Sequence, residues 1–157
     1  SKGKADFLPD YLKSINSNII FHGVNIKPGK PILFSLLTKS VYFFCLPGNP
    51  IASVVGMRFF VYPFIRAIMG FNLEKPVRAK LVNKILFCNN FSLFLKSFLF
   101  RKNNFFYVKI LNEQESFKVS GLINSNSFSY LNCEKKKYFK NDLIDVYKFD
   151  FGGCYSD

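Results

Sequence analysis

The sequence is poor in the residues that build metal and redox centres. It contains a single histidine, His22, and its four cysteines are widely separated, with no C-x-x-C pair. Zinc sites need several convergent ligands, and redox motifs need closely spaced thiols. The sequence therefore signals neither kind of site. We expect reduced, mostly buried cysteines and a structural role for His22.

Long uninterrupted apolar runs are also missing. The most apolar window spans residues 41–65, and it is interrupted by Pro47, Gly48, Asn49, Pro50, Arg58 and Pro63. A membrane-spanning helix needs about 20 predominantly apolar residues in succession. The start of the chain shows no basic segment followed by an apolar stretch and a cleavage site, so no signal peptide is visible. We expect a cytoplasmic protein that does not span a membrane.

Acidic residues are few, with 10 Asp and Glu against 22 Lys and Arg, which gives a net charge of +12. This excess favours anionic partners such as nucleotides, nucleic acid or a membrane surface. An AT-rich coding sequence would also enrich Lys, Asn, Phe and Ile, so the charge alone assigns no partner. The 157 residues are enough to bury a core. A break near residues 74–76 predicts two units, residues 1–75 and 76–157.

The first unit shows an α/β pattern. Apolar residues at helical spacing predict a helix from Asp6 to about Ser17. Three β-prone runs follow, and we expect the second and third to pair across a short polar turn; they are Ile19–Ile26, Ile32–Leu37 and Val41–Leu46. A helix is then predicted from Pro50 to about Met69, with a bend or weak point at Pro63 and an end at Gly70.

The second unit shows short β-prone runs separated by turns rich in Asn and Lys. The runs are Val77–Phe87, Ser92–Phe100, Phe105–Leu111, Phe117–Ile123, Phe128–Leu131 and Leu143–Phe149. This pattern predicts a compact sheet or a partly open barrel. The run of lysines at 135–137 is expected to be a solvated turn.

Two Pro-Gly segments, 15 residues apart, are the most informative feature of the chain. The first is Lys27-Pro28-Gly29-Lys30-Pro31, which places two lysines around a turn. The second is Leu46-Pro47-Gly48-Asn49-Pro50, which places a helix start after a strand, with Asn49 suited to the N-cap and Pro50 to the first helical position. Unpaired amides and the helix dipole at such a start attract anions. Together the segments predict an anion site.

These paired segments resemble the molybdopterin molybdenumtransferase family, to which the E domain of gephyrin also belongs. Ser1, Gly3 and Asp6 match the end of the family's T-G-G-x-S-x-G-x-x-D segment. Because that segment would begin before Ser1 and no initiating Met is present, we expect the chain to be a C-terminal fragment. The resemblance implies the last part of a three-layer, molybdopterin-binding α/β domain, followed by a small all-β domain.

The resemblance also implies an activity. In this family, molybdenum is transferred from molybdate into adenylylated molybdopterin with release of AMP, and a divalent cation such as Mg²⁺ assists. The resemblance further implies a homodimer for the full-length protein. Every participant in the reaction is an anion or a cation that bridges anions, which suits a site of lysines, helix N-termini and carboxylates.

Site residues follow from the resemblance, position by position. Lys27 and Lys30 are implied to hold molybdate or phosphate oxygens, and Asp6 to bind the cation or position the nucleotide. Asp6 is equally explained as a helix N-cap. Binding of the pterin ligand is implied for Ser1, Gly3, Pro28, Gly29, Pro31, Pro47, Gly48, Asn49, Pro50 and Ser53.

Several positions depart from the family pattern. Ala52 stands where a serine is common, and Lys4 stands where the residue is often acidic. Residues 94–96 match the family's F-x-R motif only in part, and residues 113–116 match its G-x-Q-G-S motif poorly. Two alternatives therefore stay open: an inactive remnant that only binds or supports structure, and a basic β module that binds nucleic acid. We expect a fragment alone to have little or no catalytic activity.

Overall fold

The computed structural model describes residues 7–86, 90–115 and 119–149. Over residues 7–75, the described part of the first unit, the chain forms two helices and four strands. They are α1 (Leu8–Ser14), β1 (Asn18–His22), β2 (Ile26–Lys27), β3 (Leu33–Thr38), β4 (Val41–Cys45) and α2 (Pro50–Ile68). Strands β1, β3 and β4 form an antiparallel sheet in the order β1-β3-β4. The predicted pairing of the second and third runs is therefore confirmed.

The first predicted strand is wrong as a single element. Residues 19–26 are divided between β1, which ends at His22, and β2, which begins at Ile26. Gly23 lies between them with φ of +85°, and its amide donates to the carbonyl of Ile32 at 2.8 Å. The left-handed backbone at Gly23 turns the chain out of the first sheet. As a result, β2 pairs with a strand of the second sheet instead.

Helix α2 begins and ends close to the predicted residues. Pro50 occupies its first turn, and Gly70 follows its last turn with φ of +76°. The helix widens to π geometry over Met57–Val61. Pro63 has no amide hydrogen to donate to the carbonyl of Phe59, four residues earlier, which weakens the regular ladder at that point.

Helix α2 is also long and apolar enough, judged by length and composition alone, to cross a membrane. Core helices of soluble proteins meet the same criterion. Here α2 packs on protein along two sides. Phe60 and Phe64 contact rings of the first sheet, while Val55 and Phe59 contact rings of the second. Helix α2 therefore contacts both sheets, while only 28% of its most apolar window is buried.

In the described residues after residue 76, the chain forms one short helix and seven strands. They are β5 (Val77–Leu81), β6 (Ile85–Leu86), β7 (Ser92–Lys102), β8 (Phe105–Ile110), α3 (Ser120–Ile123), β9 (Ser127–Leu131), β10 (Lys137–Tyr138) and β11 (Leu143–Lys148). Neighbouring strands run in the order β7-β8-β5-β11-β9, and β9 pairs again with β7. The five strands therefore close into a small barrel. This confirms an α/β part followed by an all-β, barrel-like part.

Two predicted strands in this part are wrong. The run Val77–Phe87 is divided, because β5 ends at Leu81 and β6 begins at Ile85, and Phe87 lies outside the described residues.

The run Phe117–Ile123 is predicted to be extended, but Ser120–Ile123 is a helical turn, and residues 117 and 118 lie outside the described part of the chain. The amide of Leu122 donates to the carbonyl of Val119 at 2.8 Å, so a local bond replaces a sheet bond. Gly121 packs against the buried side chain of Lys96, and a Cβ at that glycine would lie 2.7 Å from the lysine Nζ. Close packing at this glycine thus outweighs the β-prone pattern.

The barrel is filled mainly by aliphatic side chains. Its buried core contains Ala79, Leu81, Leu93, Leu99, Val108, Ile110, Leu131, Tyr138, Ile144 and Val146. Three buried serines bond to one another between β7 and β9: the hydroxyl of Ser129 donates to Oγ of Ser97 at 2.9 Å, and the Ser97 and Ser127 hydroxyls are also 2.9 Å apart. These polar groups are satisfied within the sheet, as buried hydroxyls require.

Backbone pairing joins the two parts of the chain. Strand β2 lies parallel to β7, with Ile26 opposite Ser92 and Lys27 opposite Leu93. The amide of Ser92 also donates to the carbonyl of Asn25 at 3.0 Å. The lysine-bearing segment is therefore an extension of the sheet that forms the barrel. Among the described cysteines, Cys45 and Cys133 form no disulfide and are half-buried.

Candidate functional site

The first wall of the site is the tight loop between β2 and β3. The amide of Val24 donates to the carbonyl of Lys30 at 2.9 Å, which closes the loop. Gly29 has φ of +113°, and a Cβ there would lie 3.1 Å from Cδ1 of Ile26. Any larger residue would be strained at this position. The loop therefore presents the exposed Lys27 and Lys30 from a fixed backbone.

The second wall is the start of α2 together with the turn before it. Asn49 holds the N-cap position with an extended backbone, but its side chain makes no capping hydrogen bond. The hydroxyl of Ser53 instead donates to the carbonyl of Pro47 and fastens the turn to the helix. A Cβ at Gly48 would meet no atom within 4 Å. A ligand can therefore approach the backbone at this helix start.

The third wall is formed by Leu93–Lys96 of β7 and by the segment after β8. The side chain of Gln114 bonds like a neighbouring strand: its Oε1 accepts from the amide of Lys96 at 3.0 Å, and its Nε2 donates to the Lys96 carbonyl at 2.9 Å. The same Nε2 donates to the carbonyl of Leu111 at 2.7 Å. The buried Lys96 donates from Nζ to the carbonyl of Glu115 at 3.2 Å.

The three walls enclose one cavity of about 800 Å³. This volume suits a small organic ligand. Its lining comprises Ile26, Lys27, Pro28, Gly29, Lys30, Pro31, Cys45, Leu46, Pro47, Gly48, Asn49, Ile51, Ala52, Leu93, Phe94, Leu95, Lys96, Gln114 and Glu115. Three lysines and one carboxylate thus line it, so its charge favours an anionic ligand.

Residues 1–67 match the family described as "Probable molybdopterin binding domain". This match covers both Pro-Gly segments and the whole of the first two walls. Residues 1–67 are therefore similar to molybdopterin-binding domains. The third wall lies beyond the matched residues, in the barrel.

Two curated proteins show the same relationship. The chain is 33% identical over 131 residues to the molybdenum cofactor synthesis protein cinnamon of Drosophila melanogaster, an alignment covering 80% of this chain and 21% of that protein. It is 41% identical over 69 residues to a molybdopterin molybdenumtransferase of Synechococcus elongatus, covering 43% of this chain and 17% of the enzyme. The chain therefore spans about a fifth of the length of these relatives.

A solved structure supports the fold. The molybdopterin biosynthesis moeA protein of Pyrococcus horikoshii OT3 superposes with a TM-score of 0.70 at 22% identity, over 88% of this chain and 33% of that one. At this identity the similarity establishes the fold alone. It extends beyond the molybdopterin-binding domain into the barrel, because it covers more of the chain than the family match does.

The structure brings most of the predicted site residues together. The first Pro-Gly segment and residues 46–49 all line the cavity. Pro50 and Ser53 are outside the lining, and Ser53 acts through its bond to Pro47. Ser1, Gly3 and Asp6 lie outside the described residues.

The third wall was not predicted from the sequence. Lys96 and Gln114 belong to the two segments that match the molybdenumtransferase pattern in part or poorly, and in the structure they bond to each other. The sequence could have indicated these residues only through their positions, because they lie where the family carries its F-x-R and G-x-Q-G-S motifs but those segments match the motifs incompletely. Neither composition nor local propensity indicated that a glutamine side chain would complete the strand.

The donor set for Mg²⁺ is incomplete within the described residues. No group of three or more His, Cys, Asp or Glu side chains comes together in residues 7–86, 90–115 and 119–149. Glu115 is the one carboxylate on the cavity lining among them. The magnesium prediction rests on Asp6, so we derive no chemical step through the cation.

Proposed function

We propose that the chain acts in molybdenum cofactor biosynthesis as the ligand-binding part of a molybdopterin molybdenumtransferase. The substrates are molybdate and adenylylated molybdopterin. In the complete enzyme, the two dithiolene sulfurs of molybdopterin replace molybdate oxygens, which leave as water, and water cleaves the phosphate anhydride so that AMP is released. Because the chain spans about a fifth of the matched relatives, this activity is assigned to the longer assembly, with the homodimer expected for the family.

The observation that supports this proposal is the convergence of two distant Pro-Gly segments on one cavity. Lys27 and Lys30 lie on one side, and the start of α2 lies on the other. Ammonium groups and helix-start amides both bind oxyanions, and the two groups together suit a ligand that carries several anionic centres. Adenylylated molybdopterin and molybdate are ligands of that chemistry.

Each wall has a separate task in this proposal. Lys27 and Lys30 bind molybdate or phosphate oxygens as point charges and so lower the cost of bringing two anions together. The backbone at Gly48 allows close approach of an oxyanion to the helix start. The apolar lining residues, among them Phe94, exclude water and strengthen these electrostatic contacts.

The test is the binding of two probes, molybdate and AMP, to the chain by isothermal titration calorimetry. We expect Lys27→Ala and Lys30→Ala each to weaken binding by about tenfold to a hundredfold, since hydrogen bonds to charged groups contribute about 1.5–3 kcal/mol. Binding should also weaken as ionic strength rises. The matched control is Lys39→Ala, an exposed lysine outside the cavity lining, which should leave affinity unchanged.

The outcomes separate the functional alternatives. Equal affinity in wild type and in both cavity variants would contradict the proposed site. If a protein extended to the full length of the relatives binds both probes and still fails to insert molybdenum, that result would favour the inactive remnant. Preference for single-stranded DNA over both probes, with steep salt dependence, would favour the nucleic-acid module.

A further inference from the structure

A buried arginine on α2 connects three segments of the chain. The side chain of Arg58 is 4% exposed and pairs with Glu74, with Nη2 lying 2.5 and 2.6 Å from the two carboxylate oxygens. The same Nη2 donates to the carbonyl of Lys148 at 3.1 Å. Arg58 therefore joins the helix both to the segment that leads into the barrel and to the end of its last strand.

Aromatic rings surround the guanidinium group. Its central carbon lies 5.5 Å from the ring centre of Phe59, 5.6 Å from that of Tyr62 and 5.9 Å from that of Tyr147. These distances are within the range of cation–π attraction. Two of the rings belong to α2 and the third to β11. Arg58 therefore makes both polar and apolar contacts between α2 and the barrel.

Phe59, the residue after Arg58, extends the contact between α2 and the barrel as far as the cavity. The ring of Phe59 stacks on Phe94, with ring centres 4.0 Å apart and planes inclined by 25°. Phe94 is buried in a cluster with Val55 and Phe128, and it also lines the cavity. A shift of the barrel relative to α2 at this point would move the third wall.

Strand pairing in the barrel also connects Arg58 to the third wall of the cavity. Lys148 ends β11 and lies opposite Ser127 of β9, and β9 pairs with residues 93–97 of β7. Hydrogen-bonded strands move together, because sliding one would break the ladder between them. Anchoring the end of β11 to α2 therefore restricts the position of β7.

We propose that Arg58 is a positioning residue that holds the barrel wall of the cavity, Leu93–Lys96, against the helix wall. Its bonds to Glu74 and Lys148 set the separation of the two walls. Its effect on ligand affinity rests on the proposed function. Its effect on the geometry of the cavity does not depend on any ligand, so the two can be tested separately.

The first experiment is amide hydrogen exchange on Arg58→Met, which removes the charge and keeps much of the apolar stem. The amide of Ser92, bonded to the carbonyl of Asn25, reports on the junction of loop and barrel. We expect it to exchange about tenfold faster relative to other protected barrel amides, because local opening becomes easier there.

The matched control is Leu81→Ala, a fully buried residue of the barrel core that does not line the cavity. It should lower the midpoint of thermal unfolding without changing the relative exchange rate at Ser92. Equal relative exchange rates in the two variants would overturn the proposal.

If Arg58→Met does not fold, Arg58→Lys serves instead. It keeps the charge but loses the planar donor fork, and it should give a smaller acceleration of exchange at Ser92.

Titration with AMP distinguishes the two proposals. If the wild-type chain binds AMP, Arg58→Met should weaken that binding several-fold, while Leu81→Ala should not. If wild type binds neither AMP nor molybdate, the proposed function fails, and the exchange rates still decide the role of Arg58. Unchanged AMP affinity together with unchanged relative exchange would exclude positioning by Arg58.

Discussion

The two sides of the cavity are built by different means. On one side, the lysine loop and the helix start are shaped by backbone features that are local in sequence, such as Gly29 with its positive φ and the turn before Asn49. On the other side, β7 pairs with β2, β8 and β9, and the side chain of Gln114 bonds the backbone of Lys96, 18 residues away. The first side depends on turn chemistry, and the second depends on tertiary hydrogen bonds.

This difference predicts how each side fails. A turn built from proline and glycine tolerates a change in its neighbours but not in its own backbone positions. A strand whose backbone bonds are completed by one distant side chain tolerates changes on its surface but loses those bonds when that side chain is removed. The substitutions below test this contrast, starting with the one of largest expected effect.

The helix side should be most sensitive at Gly56. A Cβ there would lie 2.7 Å from Cδ2 of Leu46 and 3.5 Å from Cδ1 of Ile32. We expect Gly56→Leu to lower the free energy of unfolding by about 1–3 kcal/mol, because a larger side chain overpacks this contact. Urea denaturation followed by circular dichroism measures the change.

Gly56→Ala is the graded control for this site. Its single methyl group is crowded only by the end of the flexible Leu46 side chain and lies at ordinary contact distance from Ile32. The better helix propensity of alanine offsets this crowding by up to about 1 kcal/mol. The variant should therefore unfold close to wild type. A loss of unfolding free energy as large as that of Gly56→Leu would show that the Leu46 side chain cannot move aside.

The barrel side should be most sensitive at Gln114. Gln114→Ala removes three hydrogen bonds, two with the backbone of Lys96 and one with Leu111. We expect a loss of about 1–2 kcal/mol, because the amide of the buried Lys96 loses its partner. The neighbouring Asn112 has an exposed side chain, and Asn112→Ala should change the free energy by less than about 0.5 kcal/mol. Equal losses in the two variants would contradict the assigned role of Gln114.

The smallest expected effect lies away from the cavity, at Asp142. The Nζ of Lys135 donates to its carboxylate at 2.7 Å, and this bond lowers the pKa of Asp142 below its ordinary value of 3.8. A lowered folded pKa means that the bond stabilises the protein above pH 3.8, and that this contribution is lost as the pH falls through the folded pKa. Asp142→Asn should therefore reduce the melting temperature slightly at neutral pH and converge with wild type in acid. A difference that grows as the pH falls would contradict this assignment.

The contrast also explains what the sequence revealed about the fold and the site. The paired strands β3 and β4, the start of α2 at Pro50 and the glycine that follows its end, Gly70, obey local rules of alternation, capping and glycine conformation. The family order of the two Pro-Gly segments then located the cavity. Both kinds of signal lie within a few consecutive residues.

The elements that escaped prediction depend on distant partners. The β-prone stretch before the lysine loop divides at Gly23 because its second half pairs with β7. The turn Ser120–Ile123 becomes helical where Gly121 packs against the side chain of Lys96. Closure of the barrel likewise depends on a second edge of β7 pairing with β9. Local propensity contains no information about such partners.

The pairing of β2 with β7 also has a consequence for the order of events during translation. The side chain of Asn25 bonds to the carbonyl of Asn90, 65 residues further along the chain. Ribosomes add about 5–20 residues per second. The lysine loop therefore waits about 3–13 seconds after its own synthesis before its partner strand has been made, a delay that follows from this separation and that synthesis rate. During that interval the nascent chain carries two clustered positive charges without the barrel strand that later holds them in place.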